Sequence, residues 1–317
     1  MRYGKYRFSC ILKSEAMLPP YKGSTFRGVF GTALKQVVCA LKRQDCETCL
    51  LRKKCIYSLT FEVPPFDFPE GARKRIVSPP HPYVIEPDLD TKRIYKEHES
   101  FDFSLILFGE SNDWLPYFIY AIEQIGKIGI GKKINGKRPG FELATVRAED
   151  GRTIYARQEQ KIAEGEFFRF LQLDDFFREG DGAITRLELI LETPFRLKFD
   201  NKLESRLPFH VLIRAALRRI SSLFGPYGTG EPSLDYRGLA TRAEQVRVSL
   251  DEIEWTDWRR YSNKQDQAMF MGGISGTIGY SGALAEFLPL LRIAELVHLG
   301  KQTTFGLGKL RITKEDT

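Results

Sequence analysis

One stretch occurs twice in this chain, and that repetition constrains the fold more than any other feature. The first copy, WLPYFIYAIEQIGKIGIGK, carries Leu115-Pro116, Gly126-Lys127 and Gly129-Ile130-Gly131-Lys132. The second, FLPLLRIAELVHLGKQTTFGLGK, carries Leu288-Pro289, Gly300-Lys301 and Gly306-Leu307-Gly308-Lys309. Each is an apolar segment led by Leu-Pro that runs into Gly-Lys, then Gly-apolar-Gly-Lys, then a strand, so the chain reads as two copies of one domain. Glycines dense enough for backbone N–H groups to meet an anion, each followed by lysine at a helix-to-strand corner, suit a phosphodiester backbone. Two such corners suggest a cradle for RNA.

A chain of 317 residues has room for two domains of about 150 residues, each with its own core. Hydrophobic content of 42% with 28% charged residues is ordinary for soluble globular protein and excludes disordered and fibrous classes. The net charge of +7 permits nucleic-acid binding without requiring it, and its distribution says more. Between Gln124 and Glu142 stand Lys127, Lys132, Lys133, Lys137 and Arg138 with no acid, interleaved with glycines. The N-terminus alternates polar and apolar residues and has no secretory h-region, and no run approaches the roughly 20 apolar residues that span a bilayer. The expected compartment is the cytoplasm, with no membrane partner, and reduced cysteines follow from that.

Alternation places Tyr6, Phe8, Cys10 and Leu12 on one face of a first strand, and Phe26, Phe30, Leu34 and Val37 recur at helical spacing after a turn at Leu18-Pro19-Pro20. IYSLTFEV and FDFSLILFG are expected strands, followed by the first Leu-Pro helix, its glycine loop and the strand FELATVRA. The second half repeats the order, through AITRLELILETPFRL, a helix from Leu207-Pro208, the strands QVRVSLDEIEW and GGISGTIGYSG, the second Leu-Pro helix and GKLRIT. The pattern predicts an α+β fold of tandem ferredoxin-like (RRM-like, βαββαβ) domains with a cysteine-rich insertion in the first. Asp150 to Asp181, containing the acidic LDDFFREGDG, is the expected join, which gives an N-terminal domain over 1–160 and a C-terminal domain over 161–317.

The insertion over 39–55 holds Cys39, Cys46, Cys49 and Cys55. Four thiolates this close, with one C-x-x-C, can close around a tetrahedral ion, and structural zinc is expected there with an iron–sulfur cluster as the alternative. Lys42, Arg43, Arg52, Lys53 and Lys54 leave this knuckle basic, which suits gripping RNA or docking a partner. Arg214 and Arg218 are four apart on a helix, with Arg219 beside them, and form either a basic stripe or a solvated face. Arg259, Arg260 and Lys264 stand among Trp258 and Tyr261, a mixture that suits unpaired bases.

The residues RRYSNKQ from Arg259, MGGISGTIGYSG from Met271 and LLRIAELVHLGKQTTFGLGKLRI from Leu290 resemble the C-terminal signature of the CRISPR-associated Cas-six endoribonucleases of the RAMP superfamily. LPPYKGSTFRGVFG from Leu18 is similar to the first-helix motif of the same group. The resemblance implies binding and single cleavage of the CRISPR repeat RNA, without a catalytic metal or other cofactor. It implies attack of a 2′-hydroxyl on the adjacent phosphorus, leaving a 2′,3′-cyclic phosphate and a 5′-hydroxyl, and hence a substrate that must be RNA. Other CRISPR effector subunits are implied partners, and the chain is expected as a monomer or homodimer.

That chemistry needs a base, a cation on the phosphoryl oxygens and an acid for the leaving oxygen. His298, next to Gly300-Lys301, is the first candidate base with Lys301 as its cation, although a histidine there can instead cap a helix. His81 among prolines is the second, His210 reads as packed or supporting, and His98 as solvent-facing. Many members place a histidine in or just after the first helix, where this chain has none, so Tyr21, Lys22 and Arg27 form an alternative site. The expected RNA contacts are Arg27, Lys127, Lys132, Lys133, Lys137, Arg138, Arg214, Arg218, Arg259, Arg260, Gly300, Gly306, Gly308 and Lys309. Two other readings stay open: a non-cleaving RNA-binding RAMP subunit of an effector complex, and a zinc- or iron–sulfur-dependent enzyme acting at the cysteines.

Overall fold

A computed structural model describes residues 1–42, 45–64, 79–199, 202–203, 206–257, 259–262 and 267–317, with backbone alone at 198–199, 202–203, 259–262 and 267–270. It divides into two compact units, Met1–Phe170 with Pro226–Gly228, and Leu171–Gly225 with Thr229–Thr317. The chain passes from one unit to the other at Phe170/Leu171, within the acidic stretch expected to be the join, ten residues beyond the boundary drawn at 160.

The first unit is built on β1 (Arg2–Leu12), α1 (Gly23–Val38), β2 (Tyr83–Pro87), β3 (Ser100–Phe108), α2 (Leu115–Ile128) and β4 (Phe141–Ala148). Short strands β5 (Thr153–Ala156), β6 (Lys161–Ile162) and β7 (Arg169–Phe170) complete a sheet of order β2-β3-β1-β4-β5-β6, with β7 also on β1. Every pairing is antiparallel. β1 is central because its period-2 alternation turns Tyr6, Phe8, Cys10 and Leu12 inward, each at most 1% exposed. Against that face α1 packs Phe26, Phe30 and Leu34, and α2 packs Phe118, Ile122 and Ile125. Burial of side chains of this size contributes about 1.5–3 kcal/mol each, which is what holds two amphipathic helices on the sheet.

IYSLTFEV is not a strand. Its residues Ser58–Glu62 form a short π-helical turn in which Thr60 Oγ1 donates to Ile56 O at 2.7 Å and Tyr57 stacks on Phe61. The apolar residues read as a buried strand, but aromatic packing of Phe61 on Phe30 and Tyr83 favours the helical spacing, and Val63 ends the turn at φ 40°.

The second unit follows the same element order: β8 (Arg186–Phe195), α3 (Phe209–Tyr227), α4 (Tyr236–Arg242), β9 (Arg247–Thr256), β10 (Gly273–Ser281), α5 (Leu288–Val297) and β11 (Leu310–Asp316). Its sheet order is β9-β10-β8-β11, again antiparallel, and α4 is an addition to the first unit's pattern. A hairpin, Arg259–Ser262 with Gln267–Phe270, extends between β9 and β10. Proline stands in the first turn of both α2 and α5, where its missing N–H has no intrahelical partner to lose. Among the described residues no helix is long and apolar enough to cross a membrane.

Candidate nucleic-acid interface

Twelve residues join α2 to β4 and twelve join α5 to β11, 129–140 and 298–309. The two loops fold alike in their first turns. Ile130 N–H donates to Pro139 O and Leu299 N–H to Gly308 O, both at 2.9 Å; Lys132 N–H donates to Met17 O and Lys301 N–H to Arg196 O, both at 3.0 Å. Met17 and Arg196 each lie in the segment that follows the unit's first strand. The structural register therefore pairs Gly131-Lys132 with Gly300-Lys301, not Gly126-Lys127 with Gly300-Lys301 as the motifs suggest.

The glycines have a packing reason. Gly131 (φ 75°) and Gly300 (φ 85°) take the left-handed conformation, and a Cβ on either would lie 2.5 Å from Met17 O or 2.7 Å from Arg196 O. Gly308 passes so close to Leu299 O that no side chain fits, and buried Gly306 donates to Thr303 O. The loop N–H groups of Leu299, Lys301, Phe305, Gly306, Gly308 and Lys309 all donate within the protein, the last to Thr193 Oγ1, which itself donates to Gly306 O. These six amides serve the corner itself; the expectation of a backbone anion nest is corrected for them.

What the corners present outward is side-chain charge. Lys127, Lys132, Lys133, Lys137 and Arg138 are all exposed, and among the described residues none is ion-paired with a carboxylate. Arg138 also donates to Gly131 O at 2.6 Å, tying the loop across its base. Lys301 and Gly300 are exposed at the second corner, whereas Lys309 is largely covered, its Nζ 3.1 Å from Glu192 Oε2.

The remaining expected site residues are scattered in role. His298 ends α5 at φ 55°, is 0% exposed, and its Nδ1 lies 3.1 Å from Leu307 O, so in this structure it staples the loop and touches no solvent. Lys22 at the start of α1 is 2% exposed and donates to Asp90 O and Oδ1, both at 2.9 Å, and these bonds with Lys92 N–H and Tyr95 hold the Asp90 carboxyl below its ordinary value despite its partial burial. Tyr21 is half-buried, and desolvation of its hydroxyl, with Glu86 adding, pushes its pKa well above the ordinary tyrosine value. The Arg27 guanidinium lies 5.4 Å from the Phe61 ring centroid. His81 is half-buried with Nδ1 3.0 Å from Thr60 O, and His98 is exposed beside Glu97.

On α3, Arg214 and Arg218 are exposed, and Arg214 pairs with Glu244 at 3.2 Å. Arg219 departs from the stripe: it is buried and donates twice to Val297 O, the last residue of α5. Half-buried His210 has its pKa pushed down by desolvation and then by Arg214, against a smaller upward pull from Glu244. The role of Thr193 is not visible in the sequence, since it lies outside the motif that its side chain supports, and Arg219 reads there only as part of the basic stripe.

Cys10 is core, and Cys39, Cys46, Cys49 and Cys55 are half-buried free thiols. Among the described residues no three His, Cys, Asp or Glu side chains are gathered as a metal ion requires. Burial pushes the Cys46 thiol up, Lys35 opposing it, and Cys49 O and Cys55 N–H are taken up by turns at 51–55. Arg43, Trp258 and Lys264 lie outside the described residues, as do the side chains of Arg259, Arg260 and Tyr261.

Two units of antiparallel sheet and packed helices, each with an exposed lysine on a glycine-forced corner, define a mixed helix-and-sheet protein with basic corners. Residues 189–310 match the family model of the CRISPR-associated endoribonuclease Cas6, and residues 1–167, just over half of the chain, match a model described as the AF_1859_N N-terminal domain. The chain is 26% identical over 302 residues to an uncharacterized protein of Archaeoglobus fulgidus, covering 93% of this chain and 92% of that one. Its fold is similar to a chain of a partial Cas6-RT-Cas1–Cas2 complex, with TM-score 0.60, 11% identity, and 99% of this chain covered but only 46% of that one. It is also similar to a Cas6 product complex (TM-score 0.54, 13% identity, 98% and 99% covered) and to Thermus thermophilus Cas6 (TM-score 0.54, 11% identity, 98% of each). Residues 189–310 belong to the Cas6 family, and the N-terminal half of the chain is a domain of the AF_1859_N type.

Proposed function

We propose that this protein binds CRISPR repeat RNA and cleaves it by metal-independent attack of a 2′-hydroxyl on the neighbouring phosphorus, leaving a 2′,3′-cyclic phosphate and a 5′-hydroxyl. The observation that carries the reading is the match of residues 189–310 to the Cas6 endoribonuclease model. The sheet orders β2-β3-β1-β4 and β9-β10-β8-β11 support reading both units as ferredoxin-like domains, the second of them carrying the Cas6 match. Exposed Lys132 and Lys301 at equivalent corners suit phosphate contact, with Lys127, Lys133, Lys137 and Arg138 extending the first. Lys301 is the cation for the phosphoryl oxygens, and the proton acceptor is sought among the half-buried histidines, His81 and His210.

A specific observation favours a second reading, a non-cleaving RNA-binding subunit: His298 is sealed from solvent and Lys22 is held by Asp90. Assembly with other CRISPR proteins belongs to both readings, since one similar chain comes from a Cas6-RT-Cas1–Cas2 complex. The spacing of Cys39, Cys46, Cys49 and Cys55 supports a structural zinc ion or iron–sulfur cluster in the knuckle, tested by metal analysis of the purified protein beside Cys49→Ser.

Repeat RNA incubated with the protein in excess EDTA separates the readings, with a 2′-deoxy substitution at the cut nucleotide as control. One cut ending in a cyclic phosphate, blocked by the deoxy substitution, is the expected result. Tight binding without a cut assigns the chain to the non-cleaving class.

A further inference from the structure

Helix α2 carries an outward face that takes no part in the core. Leu115, Phe118, Ile119, Ile122 and Ile125 face inward, while Tyr117 is 48% and Tyr120 51% exposed. Relative to Tyr120, Tyr117 lies three residues before and Gln124, Lys127 and Ile128 lie four, seven and eight after, so they share one face, and from 117 to 128 it runs about 16 Å along the axis. Solvent-facing helix positions gain nothing from a tyrosine ring that lysine or glutamate would not supply with a better helix propensity.

The face ends on Lys127 and continues into the loop of Lys132, Lys133, Lys137 and Arg138. Nearby carboxylates are engaged: Asp113 takes two bonds from Arg2 at 2.8 and 3.0 Å, and Glu123 accepts from Tyr155 Oη. Two exposed aromatic rings leading into an acid-free cationic loop are the combination that holds unpaired bases, rings stacking on bases and cations tracking phosphates.

Resting on the RNA reading above, we propose that the outward face of α2 is a stacking platform for single-stranded RNA, so that the stretch bound by the first unit is unpaired when bound. Tyr117 and Tyr120 stack on bases, and Lys127 and Lys132 hold the phosphates that follow. A duplex offers the loop its phosphates but hides its base faces, so the tyrosines discriminate strand state and the lysines do not.

The test uses the full chain and a labelled oligouridylate on the order of 12 nucleotides, beside a duplex of the same length, with affinity read by fluorescence anisotropy. Tyr117→Ala and Tyr120→Ala are expected each to weaken oligouridylate binding about five-fold or more while leaving duplex binding unchanged, and Tyr→Phe at either position restores it. Oligouridylate binding unchanged in the alanine variants overturns the platform, as does equal loss for duplex and single strand. Unchanged RNA binding with altered sedimentation of the alanine variants assigns the face to contact with a second copy instead. A wild-type chain that binds neither RNA overturns the RNA reading itself, whereas wild-type binding untouched by the tyrosine variants overturns only this inference.

Discussion

Lys132 and Lys301 occupy the same position in their two units, each with its N–H 3.0 Å from a carbonyl just beyond the unit's first strand, Met17 O and Arg196 O. The preceding glycine makes this possible, because only a residue without Cβ can bring the backbone that near the carbonyl at positive φ. The corner fixes where each lysine leaves the backbone, and the sheet behind it fixes the corner.

Gly131→Ala and Gly300→Ala should therefore each cost more than about 2 kcal/mol, since a left-handed conformation for an L-residue alone costs about 1–2 kcal/mol and the carbonyl clash adds to it. Gly136 is the control: its φ is 79°, but a Cβ there meets nothing within 4 Å, so Gly136→Ala should cost only about 1 kcal/mol. Urea denaturation followed by circular dichroism reads all three, and equal losses at 131 and 136 would show that the clash carries no energy.

The lysines themselves should be dispensable for folding. Lys132→Ala and Lys301→Ala are expected to shift stability by less than about 0.5 kcal/mol, as exposed side chains do. Each should weaken RNA binding at low salt and reduce the slope of log affinity against log salt by about 0.7 for every single-strand phosphate that the variant no longer neutralises. Lys309→Ala should change that slope less, because Glu192 already compensates its charge.

The alternation of Tyr6 to Leu12, the helical spacing of Phe26 to Leu34, and the two Leu-Pro helices were legible because each is a local pattern repeated over several residues. The register between the two corners was not. Matching Gly-Lys to Gly-Lys aligned Lys127 with Lys301, but a loop is superposed by its hydrogen bonds to distant strands, and those link residues such as Lys301 and Arg196 that sequence spacing does not connect. IYSLTFEV failed for a related reason: its alternation of Tyr57, Leu59, Phe61 and Val63 with Ser58, Thr60 and Glu62 has the period of a strand, but Phe30 and Tyr83 decide it from elsewhere in the chain. The exposed cations of the first loop were legible from composition, whereas the burial of His298 depends on the folding of 298–309 over its ring.

For His298 the outcome expected is loss of stability ahead of loss of chemistry. His298→Ala empties a sealed position and leaves Leu307 O without its bond, a cost of about 2–4 kcal/mol. Single-turnover cleavage measured well below the unfolding midpoint should stay within a few-fold of wild type. A variant that is as stable as wild type and cleaves nothing would return His298 to the reaction.

The second unit also contains a buried ion pair whose pH dependence has a defined sign. Arg292 on α5 is 3% exposed and binds Asp181 through two bonds of 2.8 Å, with Glu315 and Phe176 O completing its donors. Hydrogen bonding from Arg292 chiefly, then the Arg178 N–H, holds the Asp181 carboxyl below its ordinary range against the opposing effect of desolvation. A depressed carboxylate pKa stabilises the fold fully above the unfolded value of about 3.9 and loses that contribution as pH falls through the folded value. Asp181→Asn should thus be less stable than wild type at pH 7, and the two stability curves should converge below about pH 4. Arg292→Leu, which leaves the carboxylate buried and unpaired, should cost about 3–5 kcal/mol at pH 7 and recover part of that in acid, where Asp181 is protonated. Curves for wild type and Asp181→Asn that stay parallel from pH 7 to pH 3 would show that the pair contributes no pH-dependent stability.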